Sequence, residues 1–209
     1  MKYKLEYQFR WVLVLMLLGL IYLSNLIQIK LPFFTVSFPS FFPSFHFEFY
    51  IYNIQTVLVW SIGILVGPRL ASLALCIYII LGLLGLPIFA GGGGLDYYKE
   101  PTFGYLISFP ILAFLSGWFY EKNKKLLSVF VPIFTTHMFG IIYLVLFKQQ
   151  LIYVSWILSF SMISYDFIFA LLLIPILPFI SFFVNEMFIQ EVPARESVEF
   201  SSRKAMRNL

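Results

Sequence analysis

The chain has 209 residues, of which 61% are hydrophobic and 11% are charged, and its formal net charge at pH 7 is +4. A soluble domain usually carries about 25% charged residues, so this composition excludes a protein whose surface mainly faces water. Together with a mean hydropathy of +0.91, it predicts an integral membrane protein.

Six apolar segments predict six transmembrane helices. A helix of about 18 or more apolar residues matches the ~30 Å hydrocarbon core of a bilayer. The first segment is too long for a signal-peptide core and is therefore expected to be retained. A turn at Gly67-Pro68-Arg69 divides one long apolar run into two. The predicted helices cover residues 11–29, 54–67, 69–86, 102–120, 126–147 and 165–184.

The distribution of basic residues predicts the orientation of these helices. With the N-terminus inside, eleven of the 14 lysines and arginines lie on the inner side, and only Lys30, Lys99 and Lys148 lie outside. The positive-inside rule therefore places both termini in the cytoplasm. This topology explains the basic excess without a nucleic-acid partner. The predicted architecture is an all-α, six-helix membrane domain over residues 1–190 and a cytoplasmic tail over 191–209.

Two of the external segments carry structure of their own. Residues 30–53 are rich in phenylalanine and are interrupted by Pro32, Pro39 and Pro43, which argues against a spanning helix. Their apolar character predicts a helical or re-entrant segment packed on the outer face. Residues 148–164 begin polar and then become apolar and aromatic, which predicts an interfacial helix before the sixth span.

Asp166 is the outstanding polar residue, because it opens the last predicted apolar helix. An ionisable group in a bilayer is costly unless partners or cavity water compensate it, so it indicates a functional site. The alternative role is an N-terminal helix cap. Both roles are compatible with one carboxylate.

Further candidates surround an external loop with four glycines at positions 91–94. Glycine permits positive φ and close approach to a small molecule, although a flexible linker has the same composition. Thr102 and Tyr105 share a face if a helix begins there. The amide of Gln55, near the outer end of the second helix, can both donate and accept hydrogen bonds.

His137, Gly140 and Tyr143 recur at a spacing of three in the fifth helix. For His137 an interhelical hydrogen bond is favoured over ligand contact. Enzyme chemistry has little support, since the sequence has no zinc-binding H-E-x-x-H, no Gly-x-Ser-x-Gly elbow and no metal-ligand spacing. The single cysteine, Cys76, allows no intrachain disulfide.

Four motifs in order resemble the BioY family of biotin-specific subunits. They are Ile-Gln-Thr at 54–56, Gly-Pro-Arg-Leu at 67–70, the segment 78–92, which begins at Tyr78 and ends at Gly91-Gly92, and Pro-Thr-Phe-Gly-Tyr-Leu at 101–106. The resemblance is strong over about a third of the chain and faint elsewhere.

The resemblance implies an S component of an energy-coupling factor (ECF) transporter in a bacterial cell membrane, which binds biotin in a cavity open to the outside. The expected partners are the transmembrane coupling protein EcfT and two ATPase subunits, and no cofactor is expected. The ligand-lining residues that it implies are Gln55, Phe89, Ala90, Thr102, Tyr105 and Asp166, with Gly91, His137 and Tyr143 as further candidates.

Two positions and the first helix depart from the family pattern. Phe169 stands where the family commonly has a lysine one helical turn after Asp166, Glu100 replaces a glycine, and only Gly19 supplies a small residue for docking in the first helix. These departures leave open a different small vitamin as the ligand. The sequence is also compatible with a solitary facilitator and, in a different class, with a small intramembrane enzyme or scaffold.

Overall fold

The computed structural model describes residues 7–37, 44–149 and 152–188. The predicted cytoplasmic tail, residues 191–209, lies outside the described residues. Within them the chain forms seven α-helices, one short 3-10 helix and a two-stranded hairpin. The helices are α1 (Tyr7–Ser24), α2 (Gln55–Val66), α3 (Pro68–Leu83), α4 (Phe103–Glu121), α5 (Lys125–Phe147), α6 (Ile152–Leu173) and α7 (Leu177–Phe188).

The segment between α1 and α2 is an antiparallel hairpin of β1 (Gln28–Ser37) and β2 (Ser44–Asn53). The predictions of an all-α fold and of a helical or re-entrant segment here are therefore wrong. Residues 44–52 alternate in polarity and are rich in aromatics, which favours a strand. Pro32 is tolerated because both strands of a two-stranded sheet are edges.

α6 differs from its predicted form at both ends. It begins at Ile152 and runs to Leu173, so residues 152–164 belong to this helix and do not form a separate interfacial one. Its serines are compatible with a continuous helix because a hydroxyl can bond the preceding turn, as Ser164 Oγ donates to the Phe160 carbonyl at 3.1 Å. The sixth predicted span is broken near Pro175, where the axis bends by 62° before α7.

Close helix contacts hold the centre of the molecule together. A Cβ on Gly63 of α2 would lie 2.2 Å from the Ala113 carbonyl oxygen of α4, and one on Gly117 would lie 2.2 Å from the Gly63 oxygen. The buried indole N–H of Trp60 donates to the Ser128 carbonyl at 2.6 Å, which joins α2 to α5. α2, α4 and α5 thus form a tightly packed core.

Two helices of the described residues, Phe103–Glu121 and Lys125–Phe147, are long and apolar enough to cross a membrane, and the bent pair of α6 and α7 would make a third span. Three shorter apolar helices accompany them, Val14–Ser24, Gln55–Val66 and Pro68–Leu83. The predominantly helical, apolar architecture agrees with the prediction of a membrane protein. The number of six spans and the cytoplasmic position of both termini remain predictions.

Candidate ligand-binding site

A cavity of about 610 Å³ lies where the hairpin, the glycine loop and the ends of several helices meet. Sites for small molecules and cofactors commonly measure about 300–1,000 Å³. The helical residues that line it come from α2, α3, α4, α5 and α6. Five helices, a hairpin and a loop therefore enclose one space of the size of a small organic ligand.

Most of the predicted site residues line this cavity, whereas two candidates do not. Tyr143 donates its hydroxyl hydrogen bond to the Tyr98 carbonyl. His137 and Tyr143 are six residues apart and so lie about 120° apart around α5, which explains why only His137 reaches the cavity. Gly91 is an exposed loop residue beside the Tyr97 ring. The predicted residues that line the cavity are Gln55, Phe89, Ala90, Thr102, Tyr105, His137 and Asp166.

Asp166 is the centre of a buried polar cluster. The Tyr52 hydroxyl donates to Asp166 Oδ1 at 2.6 Å, and His137 Nε2 lies 2.9 Å from Oδ2. Only 2% of the Asp166 residue surface is exposed. A helix-cap role is excluded because α6 begins at Ile152, well before this residue. The contact between His137 and α6 is the interhelical hydrogen bond that the sequence favoured.

The electrostatics of this cluster fix the direction of one hydrogen bond. Burial, and then the neighbouring Asp166 carboxylate, raise the pKa of Tyr52 far above its ordinary value of 10.0. The phenol therefore keeps its proton and acts as a donor to the carboxylate. Burying a carboxylate costs several kcal/mol unless hydrogen bonds compensate it, and Tyr52 and His137 provide that compensation.

Two buried polar atoms of residues that line the cavity have no hydrogen-bond partner among the described residues: Gln55 Nε2 and His137 Nδ1. In a neutral ring whose Nε2–H donates to Asp166, Nδ1 is an acceptor. The Gln55 amide offers two donors. Asn53 fixes the start of α2 below the hairpin, because its Oδ1 accepts from the Gln55 backbone N–H at 2.9 Å. A ligand can satisfy groups that the protein itself leaves unpaired.

The glycine loop is a packed structure, which argues against the flexible-linker alternative. Gly92 and Gly94 have φ of +115° and +107°, values that favour glycine strongly. The Gly94 N–H donates to the Gly82 carbonyl at 2.7 Å. The Phe89 ring packs against the Tyr97 ring with centroids 4.5 Å apart. The loop therefore presents Phe89 and Ala90 to the cavity in a defined position.

An aromatic and amide cluster supports the same loop from below. Asn25 Nδ2 donates to the Tyr78 hydroxyl at 3.0 Å and to the Ile88 carbonyl at 2.9 Å, and Tyr78 donates to that carbonyl at 2.7 Å. At the other side of the loop, the Tyr97 and Thr102 hydroxyls are 3.2 Å apart. Asn25, Tyr78 and Tyr97 line the cavity as well, and sequence reasoning did not identify them.

The Tyr105 ring also has a defined position. Its hydroxyl bonds Ser159 of α6, and its ring meets His137 edge-on with centroids 5.6 Å apart. Gly140 makes room for this ring, since a Cβ there would lie 2.2 Å from Tyr105 Cζ. α4, α5 and α6 thus share one aromatic and polar wall.

The family model of the BioY family matches residues 3–186 of the chain. The chain belongs to the BioY family. This confirms the resemblance inferred from the four motifs. The match covers the hairpin, the glycine loop and every helix that lines the cavity.

Several curated relatives within the BioY family align with part of the chain. A probable biotin transporter BioY of Pyrococcus horikoshii is 42% identical over 78 residues, which are 37% of this chain and 48% of that protein. One of Lysinibacillus sphaericus is 39% identical over 74 residues, or 35% and 38% of the two chains. The biotin transporter BioY2 of Lactococcus lactis is 26% identical over 120 residues, or 56% and 66%. The aligned part of the chain thus spans about half or less of the length of the first two relatives.

The fold is similar to that of a crystal structure of the S-component for biotin from an ECF-type ABC transporter. The TM-score is 0.63, and the match covers 87% of this chain and 95% of that one at 20% sequence identity. At this identity the likeness concerns the fold. This BioY chain therefore has the helical membrane fold of an S component.

Proposed function

We propose that the chain captures biotin in this cavity from the outside of a cell membrane and mediates its uptake as the substrate-binding subunit of an ATP-driven ECF transporter. The observation that carries the proposal is the buried Asp166 carboxylate at the wall of a 610 Å³ cavity in a member of the BioY family. The chain would act by binding and presenting its ligand, without chemical conversion.

The chemistry of the cavity suits the ureido group of biotin. A carboxylate has about four lone-pair positions, and two of those on Asp166 are used by Tyr52 and His137. The remaining positions can accept the ureido N–H groups. The Gln55 Nε2 group, which has no partner among the described residues, can donate to the ureido carbonyl. A ureido group offers both donors and an acceptor, so one ligand group satisfies both side chains.

The apolar part of biotin would pack against the aromatic walls. Phe89, Tyr97 and Phe109 are buried and line the cavity. Burial of apolar ligand surface contributes about 25 cal/mol per Å². Ala90, Thr102 and Tyr105 complete the surface beside the glycine loop. This division into a polar end and apolar walls is typical of small-molecule sites.

Transport would require partners that supply energy. We expect EcfT and two ATPase subunits to reorient the chain so that the cavity opens inward. Support comes from the fold, which is that of a subunit of an ECF-type ABC transporter, and from two apolar helices long enough to cross a membrane among the described residues.

The first experiment is equilibrium binding of biotin to the purified full chain in nanodiscs, with thiamine and riboflavin as comparison ligands. We expect stoichiometric, saturable binding of biotin and no binding of thiamine or riboflavin. Folded protein that binds thiamine or riboflavin instead would establish a changed ligand and overturn the biotin assignment.

Uptake measurements test the partner assignment separately. Radiolabelled biotin uptake is compared in cells with the chain alone, with the chain plus EcfT and both ATPases, and with ATPases that cannot hydrolyse ATP. We expect accumulation only with the active complete set. Equal uptake by the chain alone would identify a solitary facilitator.

A further inference from the structure

Two formally charged side chains line the cavity, Asp166 and Lys148. Lys148 is half-buried and follows the last residue of α5. No ion pair or side-chain hydrogen bond joins its amine to another described residue. A cation at a helix C-terminus is favourable because of the helix dipole. The cavity therefore has a carboxylate at one wall and an unpaired ammonium group at another.

The other lysine near this surface has a different environment. Lys99, in the loop after the glycines, is paired with Asp96 at 2.6 Å, and both side chains are well exposed. This pairing lowers the pKa of Asp96 and raises the pKa of Lys99, so both stay charged at neutral pH. Lys99 does not line the cavity, whereas Lys148 does.

The separation of Asp166 and Lys148 in the cavity can be judged from α5. This helix carries His137, Leu144 and Lys148 along one cavity wall. A helix rises ~1.5 Å per residue, so the His137 and Lys148 backbones lie ~16 Å apart along its axis. The flexible lysine side chain can extend back toward the cavity and shorten that separation. Asp166 lies at the His137 end. An elongated ligand can therefore contact Asp166 and Lys148 at once.

Position 169, one helical turn after Asp166, is a phenylalanine, so it supplies no positive charge at the Asp166 end of the cavity. Its ring packs on the Tyr52 ring with centroids 5.4 Å apart. Tyr52 in turn bonds Asp166. The Asp166 end of the cavity thus combines a carboxylate with aromatic rings and suits a neutral, N–H-bearing ligand group.

We propose that Lys148 binds the carboxylate of the transported acid, so that the site recognises both ends of an elongated organic anion. The inference rests on the proposed function for the identity of the test ligand. In biotin the ureido ring and the valerate carboxylate lie at opposite ends, which matches the arrangement of Asp166 and Lys148. Lys148 is then a specificity-determining residue that selects acids over neutral analogues.

The test compares biotin with biotin methyl ester, which keeps the ureido ring and loses the negative charge. Dissociation constants are measured for the full chain in nanodiscs and for Lys148→Gln, Lys148→Arg and the matched control Lys99→Gln. Because hydrogen bonds to charged groups contribute about 1.5–3 kcal/mol, Lys148→Gln should weaken biotin binding roughly 10- to 100-fold. It should leave ester binding unchanged.

Lys148→Arg should preserve most of the preference for biotin over the ester, and Lys99→Gln should behave as the unmodified chain. An equal loss for biotin and ester in Lys148→Gln would show a structural effect and overturn the inference, as would unchanged biotin affinity. In both cases binding of biotin by the unmodified chain would leave the proposed function intact. Failure of the unmodified, folded chain to bind biotin would overturn both.

Discussion

Tyr52 and Asp166 lie 114 residues apart and share a 2.6 Å hydrogen bond that joins β2 to α6. The bond ties the hairpin to the buried carboxylate of the cavity wall. The Tyr52 ring also packs against Tyr165 and Phe169. One tyrosine therefore connects the cover of the cavity with its polar centre.

Tyr52→Phe should destabilise the folded chain by about 1–3 kcal/mol, because it removes a hydrogen bond to a buried carboxylate and keeps the ring. Thermal unfolding in detergent measures the change. Tyr98→Phe is the matched control, since the Tyr98 side chain is exposed and should tolerate the loss of its hydroxyl. Equal unfolding midpoints for the two variants would contradict the prediction.

The stabilising contribution of Tyr52 should persist from about pH 7 to about pH 9. The folded-state pKa of Tyr52 is raised above 10.0, so the contribution is fully present below the pKa of the unfolded phenol. It is lost only as the pH rises through the higher folded-state value. The difference in unfolding midpoint between the unmodified chain and Tyr52→Phe, measured across this range, should stay constant. A difference that grows between pH 7 and pH 9 would show a folded-state pKa of Tyr52 lowered below 10.0 and would contradict the prediction.

Asp166→Asn should weaken biotin binding at least tenfold, or by about 1.4 kcal/mol. The amide keeps the size of the side chain, but its N–H₂ group faces hydrogen-bond donors and cannot accept the ureido protons. Isothermal titration in nanodiscs gives the dissociation constant. Asp96→Asn serves as the control because the Asp96 side chain is exposed and, within the described part of the chain, bonds Lys99 alone. Unchanged biotin affinity in Asp166→Asn would remove this residue from the binding site.

Gln55→Met should weaken biotin binding roughly fivefold, since one neutral hydrogen bond contributes about 1 kcal/mol. The matched ligand control is 2-iminobiotin, whose guanidino group has no carbonyl oxygen for the Gln55 amide. We expect the substitution to affect biotin more than iminobiotin. A uniform effect on both ligands would indicate a change in packing at the start of α2.

Gly82→Ala should lower both stability and biotin affinity, because a Cβ there would lie 2.0 Å from Phe89 Cζ. Phe89 is held between Tyr78 and Tyr97 and has little room to move. Overpacking of this kind costs typically 1–3 kcal/mol. Gly19→Ala is the control, since, apart from its own stretch of helix, no described residue has an atom within 4 Å of the added Cβ. Normal stability and affinity in Gly82→Ala would show that the loop adjusts freely.

The sequence predicted α2 to α5 well and the outer segments poorly. Apolar runs bounded by Gly67-Pro68 and by the lysines at 122–125 fix the helices between residues 54 and 147 to within a few residues. In residues 44–52 the alternating pattern carried a strand signal that the prolines at 32, 39 and 43 obscured. The start of α6 was placed too late in the chain because residues 148–164 begin polar and then become apolar and aromatic, a pattern that predicted a separate interfacial helix. The serines in this segment are compatible with one continuous helix, since each can bond the preceding turn.

The residues that line the cavity also divide into those that the sequence predicted and those that it did not. Gln55, Phe89 and Thr102 were found because they stand in contiguous motifs. Tyr52 was missed because its role depends on the strand that was not predicted. The sequence alone could not decide between Lys148 and Lys99, because it does not show which of them lies beside the cavity. Contacts between distant segments, such as Asn25 with Tyr78, have no signature in a single sequence.

The mutual contact of Gly63 and Gly117 has a consequence for how the cavity can open. Because the two backbones are in contact at this crossing, with the Ser116 hydroxyl and the Pro68 ring beside them, α2 has no space to slide past α4. Gln55 and Tyr105, on these two helices, therefore belong to a fixed wall. On the hairpin side, β1 and β2 meet α6 through the hydroxyls of Tyr165 and Tyr52. These side-chain contacts can separate without disturbing the glycine crossing, so we expect the cavity to open on the hairpin side.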